Sequence, residues 1–174
     1  MKNASNRGEE ADYLTATQVG AVAENIVASQ IISASRGRLC PFLPVADDGG
    51  VDLLIFDKKT RNAVPVQVKS RTRTLKRSPK CVHFGIRKKT FNDTPGTVVI
   101  AMLFDWKGQA PRCMWLLPGD VVAEKAAGRG RIHVLRPSVS PTSRDKWRPY
   151  RCEGFNVLVE RLIELLERRP RTSG

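Results

Sequence analysis

Apolar residues recur along the chain in several patterns, and each predicts a different element. Val19, Val22, Ala23, Ile26 and Val27 fall at helical spacing behind Thr15-Ala-Thr-Gln18, where Thr and Gln stand three residues apart as in a capping box. A helix is therefore expected from about Thr17 to Ser35, ended by Gly37. Phe155, Leu158, Val159, Leu162, Leu165 and Leu166 form a second helical stripe, with Glu160, Arg161, Glu164 and Glu167 outside. Short runs predict strands. Leu39 to Val45 contains Pro41 and Pro44, so it belongs at an edge. Thr97 to Phe104 is apolar on both faces and belongs at the centre. Cys113 to Leu117 and Arg131 to Arg136 are further strands, the latter an outer one, and Pro118-Gly-Asp120 opens a short helical stretch through Ala127. Pro137 to Arg151 is expected to be a polar loop. The sum is an α/β fold, a mixed central sheet with helices on both faces. Residues 1–14 are expected to be a flexible leader, 15–168 a single domain and 169–174 a basic tail.

Two more strands carry the most informative feature. Val51 to Asp57 and Ala63 to Ser70 flank the polar link Lys58-Lys-Thr-Arg61. With those four residues as the loop, Asp57 faces Asn62, and the same register sets Asp52 opposite Gln67. Opposed residues of an antiparallel pair share a face, with Cβ atoms about 5 Å apart. Lys69, two residues on, shares that face too. A carboxylate on a strand is a hard oxygen ligand for Mg²⁺; the Gln67 amide offers a second oxygen and the Val68 carbonyl a third. Lys69 would hold an attacking water or offset charge growing on a phosphate. The plainer reading is a cross-strand Asp52–Lys69 ion pair, worth little where exposed. Val51, Leu53, Leu54, Val66 and Val68 surround these residues, and a lysine in such a half-buried strand is unusual without a task.

Composition narrows the partner. In 174 residues, 30 Lys+Arg stand against 17 Asp+Glu, a net charge of +13 that points to a polyanion. Nine of those cations, from Lys69 to Lys89, follow without one acid, beginning at the proposed site; Arg71, Arg73, Lys76, Arg77, Arg87, Lys88 and Lys89 are the candidate nucleic-acid contacts. The segment 71–80 is expected to be a loop that orders on the nucleic acid. No apolar run approaches the length of a membrane span, and Met1 to Asp12 does not have the pattern of a secretory signal. Cys40, Cys81, Cys113 and Cys152 form no CxxC pair, so reduced thiols in a cytoplasmic protein are expected rather than a zinc site. Asp47 and Asp48 are expected to form a turn, Trp106 and Trp115 to be packed, and His83 and His133 to be structural. The mixed aromatic and basic stretch Lys146 to Arg151 is a weaker candidate for nucleic-acid contact.

Gly20-x-x-x-Glu24 on a first helix, then Gly50-Val-Asp52 entering a strand, then Gln67-Val-Lys69 resembles the PD-(D/E)XK nuclease superfamily, with its restriction-endonuclease-like fold. Archaeal-type Holliday junction resolvases show this order. The resemblance covers residues 17–104 and implies a Mg²⁺- or Mn²⁺-dependent endonuclease acting on DNA. It implies Asp52 and Gln67 as metal ligands, Lys69 as the catalytic lysine and Glu24 as the helix glutamate that assists the metal. Gln67 stands where many members have a carboxylate, and no literal Pro-Asp precedes the motif. A catalytically inactive nucleic-acid-binding module of the same fold is the alternative. Cleavage of both strands would call for a homodimer.

Overall fold

The computed structural model describes residues 15–45, 50–73, 80–89, 91, 96–105, 111–128 and 130–169; the leader, Asp47, Asp48, Lys76, Arg77, Trp106 and residues 170–174 lie outside the described residues. In chain order the elements are α1 (Ala16–Ala34), β1 (Leu39–Phe42), β2 (Leu53–Asp57), β3 (Ala63–Arg73), β4 (Phe84–Arg87), β5 (Val98–Asp105), β6 (Pro111–Pro118), α2 (Gly119–Lys125), β7 (Ile132–Leu135), a 3₁₀ turn (Arg148–Tyr150), β8 (Arg151–Cys152) and α3 (Phe155–Glu167).

The capping box at Thr15 and Gln18 forms as expected, each side chain meeting the other residue's backbone N–H. At the other end Gly37 adopts φ 76°, and its N–H reaches back to the Ile32 carbonyl at 2.9 Å, which closes the helix. Six strands form one sheet in the order β1-β2-β3-β5-β6-β8. Proline-bearing β1 is at the edge and β5 is inside, parallel to β3 and antiparallel to β6. The expected hairpin register is met: Leu53 faces Val66 and Phe56 faces Ala63.

One face of the sheet is buried under α1 and α3. Ala23, Val27 and Ile31 meet Leu53, Ile55, Val66, Val68 and Ile100, and Leu158, Leu162 and Leu166 complete the layer. The other face also has a flanking helix, the two-turn α2, but among the described residues most of its cover is a separate two-stranded ribbon that the sequence did not lead one to expect, β4 paired with β7. Phe84, Ile86 and Leu135 of the ribbon pack on Val99, Ala101, Trp115 and Leu117. The strand β4 went unforeseen because its Phe-Gly-Ile-Arg pattern is short and embedded in cations. The 137–151 segment is likewise no plain loop: Val139 and Trp147 are buried, and Arg151 and Cys152 pair with β6. Burial of Trp147 and Arg151 argues against Lys146 to Arg151 as a nucleic-acid contact. The start of the expected tail is docked as well. The Arg169 guanidinium donates to the carbonyls of Ala63 and Gly96, Asn62 Nδ2 donates to the Arg169 carbonyl at 3.2 Å, and burial pulls the Arg169 pKa down. The four cysteines are free, as expected.

The β2–β3 turn is fixed by Asp57, whose side chain is 0% exposed. It accepts from Arg38 Nε at 2.9 Å and Nη2 at 2.7 Å, from the Lys59 N–H and from Thr60 Oγ1. Arg38 also reaches Glu167 of α3 at 2.8 Å, so this one carboxylate links hairpin, first helix end and last helix. The Arg38 guanidinium, with the two turn donors, holds the Asp57 carboxyl far below the usual carboxylate range. A lowered pKa means that the contribution is full above the ordinary carboxylate value and lost as pH falls below it. Asp57→Ala should therefore cost about 3 kcal/mol in urea unfolding at pH 7, the scale for stripping a buried ion pair. Its deficit against wild type should shrink below about pH 4. A deficit that stays constant on acidification would contradict this assignment.

Candidate active site

The candidate site lies where β2 ends and β3 runs on. Regular pairing stops at Leu53↔Val66. Asp52 then leaves the ladder: its N–H donates to the Val66 carbonyl at 2.9 Å, and its carboxylate accepts the Val68 N–H at 2.6 Å. Alternation along a strand directs the N–H and C=O of Val68 the same way as those of Val66, towards β2. The Asp52 side chain thus replaces the missing strand partner, and the Val68 carbonyl leaves β3 on the same side.

Gln67 and Lys69 point out of the sheet, between these in-plane groups. Their parallel partners are Val99 and Ala101, which belong to the ribbon-side core. Gln67 is 4% exposed, and its Oε1 is buried with no hydrogen-bond partner. Among the described residues only Thr97 Oγ1 is left in the same condition. A buried acceptor without a partner costs about 1–3 kcal/mol, so such an atom in a native site calls for an absent ligand, ion or water. Lys69 is half-buried beside it. Asp52 is therefore held against the strand that carries Gln67 and Lys69, with a difference from the expected arrangement. Gln67 and Lys69 share a face, while Asp52 meets them from the sheet end through the Val68 N–H rather than as a cross-strand neighbour of Gln67.

Glu24 comes from α1, which covers the opposite face. It is partly buried, next to Ala23 and one turn before Val27 and Ala28 on the sheet-facing stripe, and it has interactions of its own. Gly20, one turn earlier, has nothing within 4 Å of where a Cβ would stand. Among the described residues no three His, Cys, Asp or Glu side chains gather as a metal cluster. The oxygens that Asp52, Gln67 and Val68 would offer an ion are one carboxylate, one amide oxygen and one backbone carbonyl. Those are hard oxygens, which suits Mg²⁺, an ion commonly held by one or two carboxylates with substrate phosphates and waters completing its shell.

The cationic candidates divide by position. Arg71 follows Lys69 on the same face and its Nε donates to the His83 carbonyl at 3.0 Å, tying β3 to the start of β4. Arg73 is in β3, opposite Asp105, so the strand runs further into the expected loop than its sequence suggested. Arg87, Lys88 and Lys89 are exposed at the far end of β4. His133 lies edge-on to Phe91 with ring centres 5.6 Å apart, a structural role as expected. A cleft of about 680 Å³ between the end of α1 and the start of α3 lies on the helix side, with Arg36, Glu153 and Glu160 in its wall, and no candidate residue lines it.

No protein-family model and no curated protein matches this sequence. Among solved structures the chain is similar to a bacterial homing endonuclease, I-Ssp6803I, at 19% identity and a TM-score of 0.56, covering 89% of this chain and 99% of that one. It is also matched to a Holliday junction resolvase, Hjc of Archaeoglobus fulgidus, at 11% identity and a TM-score of 0.39, covering 65% and 89%. The likeness to the homing endonuclease shows the fold: this chain has a restriction-endonuclease-like fold.

If Gln67 Oε1 is kept unpaired for a ligand, removing it should not harm the empty protein. Gln67→Met should leave stability unchanged or raise it by up to about 1 kcal/mol in metal-free buffer. Loss of more than about 1 kcal/mol in urea unfolding would mean that the amide is a structural group.

Proposed function

We propose that this protein is a metal-dependent DNA endonuclease that hydrolyses phosphodiester bonds with Mg²⁺ or Mn²⁺. The observation that carries the reading is the buried, partnerless Gln67 Oε1 on the strand that also holds the Asp52 carboxylate and presents Lys69. Asp52, Gln67 and the Val68 carbonyl would hold the ion; Glu24, on the helix that covers the opposite face, would assist only round the end of β2, through water. When bound, such an ion polarises a phosphoryl oxygen and lowers the pKa of a coordinated water.

The chain's own residues do the rest. The Val68 N–H fixes one Asp52 oxygen, so the carboxylate needs no reorganisation to bind. Lys69 orients the attacking water and offsets charge developing on the phosphate. Arg71, Arg73, Lys76, Arg77, Arg87, Lys88 and Lys89 hold the DNA backbone beyond the site. Their contacts give affinity and register, and binding is strongly salt-dependent. The similarity to a homing endonuclease supports DNA as the polyanion. A cytoplasmic location, and a homodimer for cutting both strands, go with this reading.

One feature favours a second reading, a catalytically inactive DNA-binding module: Gln67 has one negative charge fewer than a carboxylate would bring. A cleavage assay on duplex, junction and nicked DNA decides between them. Wild type should cut with Mg²⁺ or Mn²⁺, and Asp52→Ala or Lys69→Ala should slow cleavage about 10²-fold or more, the scale for removing one preorganised catalytic group. Both variants should still bind DNA in metal-free buffer. Binding by wild type with no cleavage of any substrate would overturn the enzyme and leave the inactive module.

A further inference from the structure

The run of cations that follows Lys69 is half of a larger feature. Residues 125–144 hold five more Lys+Arg and, like residues 69–91, no Asp or Glu; together the two stretches contain fourteen of the chain's 30 cations. The fold pairs a part of each stretch, Phe84–Arg87 with Ile132–Leu135, as the two strands of one ribbon, β4 and β7. Its inner side is fixed: Phe84 pairs with Leu135, both fully buried, and Ile86 pairs with His133 against the core. Its outer side is Gly85 opposite Val134 and Arg87 opposite Ile132, which is 44% exposed. At one end the Lys88 N–H donates to the Arg131 carbonyl at 2.9 Å, so exposed Arg87, Lys88, Lys89 and Arg131 cluster there. At the other end Arg71 holds the His83 carbonyl. From His83 to Lys88 is five strand residues, about 17 Å at 3.3–3.4 Å each.

We propose that the β4–β7 ribbon seats in the major groove of duplex DNA, with the Arg71 end and the Lys88–Arg131 end on the two flanking phosphate backbones. The inference rests on DNA being the polyanion, and adds to that reading the form of the DNA and the element that meets it. A two-stranded ribbon fits a B-form major groove about 12 Å wide, and cations about 17 Å apart along it reach phosphates on both sides. Gly85 has no side chain of its own there, and the Ile132 side chain lies 3.5 Å from where its Cβ would stand, so Ile132 and Val134 form a low apolar middle that can face base edges. A-form duplex RNA, whose major groove is deep and narrow, does not admit the ribbon.

The test is binding alone, with the full chain in EDTA, measured by fluorescence anisotropy on a 20-base-pair DNA duplex across a salt series. Lys88→Ala/Arg131→Ala should reduce the slope of log K against log[salt] by about two, one for each phosphate that the variant no longer neutralises. Lys88→Gln/Arg131→Gln should do the same, and thermal melting confirms that each variant is folded. Arg36→Gly/Lys58→Ala, which removes two exposed cations away from the ribbon, should leave the slope at the wild-type value. Duplex RNA of equal length should bind about tenfold more weakly than the DNA. The proposal is overturned if the ribbon pair binds like wild type, if both pairs lower the slope equally, or if the RNA binds as well. Because no metal is present, loss of cleavage with these binding results intact would sink the enzyme reading and leave the ribbon assignment standing.

Discussion

The 2.6 Å hydrogen bond from the Val68 N–H to the Asp52 carboxylate is the contact on which the candidate site depends. A strand ending inside a sheet would leave the Val68 N–H without a partner, and a buried donor in that state is costly. Asp52 satisfies it with a side chain instead of a main chain. The same exchange frees the end of β2 and leaves a carboxylate where a strand would otherwise continue. Hairpin, turn and last helix are held in register behind it by Asp57 and Arg38, so the position of Asp52 is set by the fold rather than by a mobile loop.

β3 is suited to this task because its two faces differ. Val64, Val66 and Val68 fill the layer under α1, which fixes the strand. On the other side Gln67, Lys69 and Arg71 run from a buried amide whose oxygen has no partner to an exposed guanidinium. On the proposed reading, a phosphate backbone following that gradient would pass from the ion's ligands to cations that only position it.

Much of this was legible in the chain itself. The helical stripes gave both long helices nearly to the residue, and the four-residue link Lys58 to Arg61 fixed the hairpin register from Phe56 opposite Ala63 to Leu53 opposite Val66, which sets Asp52 at the end of that pairing. What periodicity could not give was pairing over long distance. Phe84-Gly-Ile-Arg87 has too few residues to declare a period, and only its contact with residues 132–135 makes it a strand. Trp147 and Arg151 looked like surface because their neighbours are polar, yet both are buried, the Arg151 guanidinium over the Trp115 ring at 5.7 Å. Arg169 looked like tail because hydropathy takes no account of backbone carbonyls waiting at Ala63 and Gly96. The reach of Asp52 to Val68 rather than Gln67 depends on where a ladder stops, which no pattern of side chains encodes.

The most direct measurement is a crystal soaked in Mn²⁺, with diffraction recorded at the manganese absorption edge. An anomalous peak within about 2.0–2.3 Å of both an Asp52 carboxylate oxygen and Gln67 Oε1 is the predicted result. Well-ordered density at these side chains with no peak between them, or an amide oxygen satisfied by a protein group or water alone, would contradict the account.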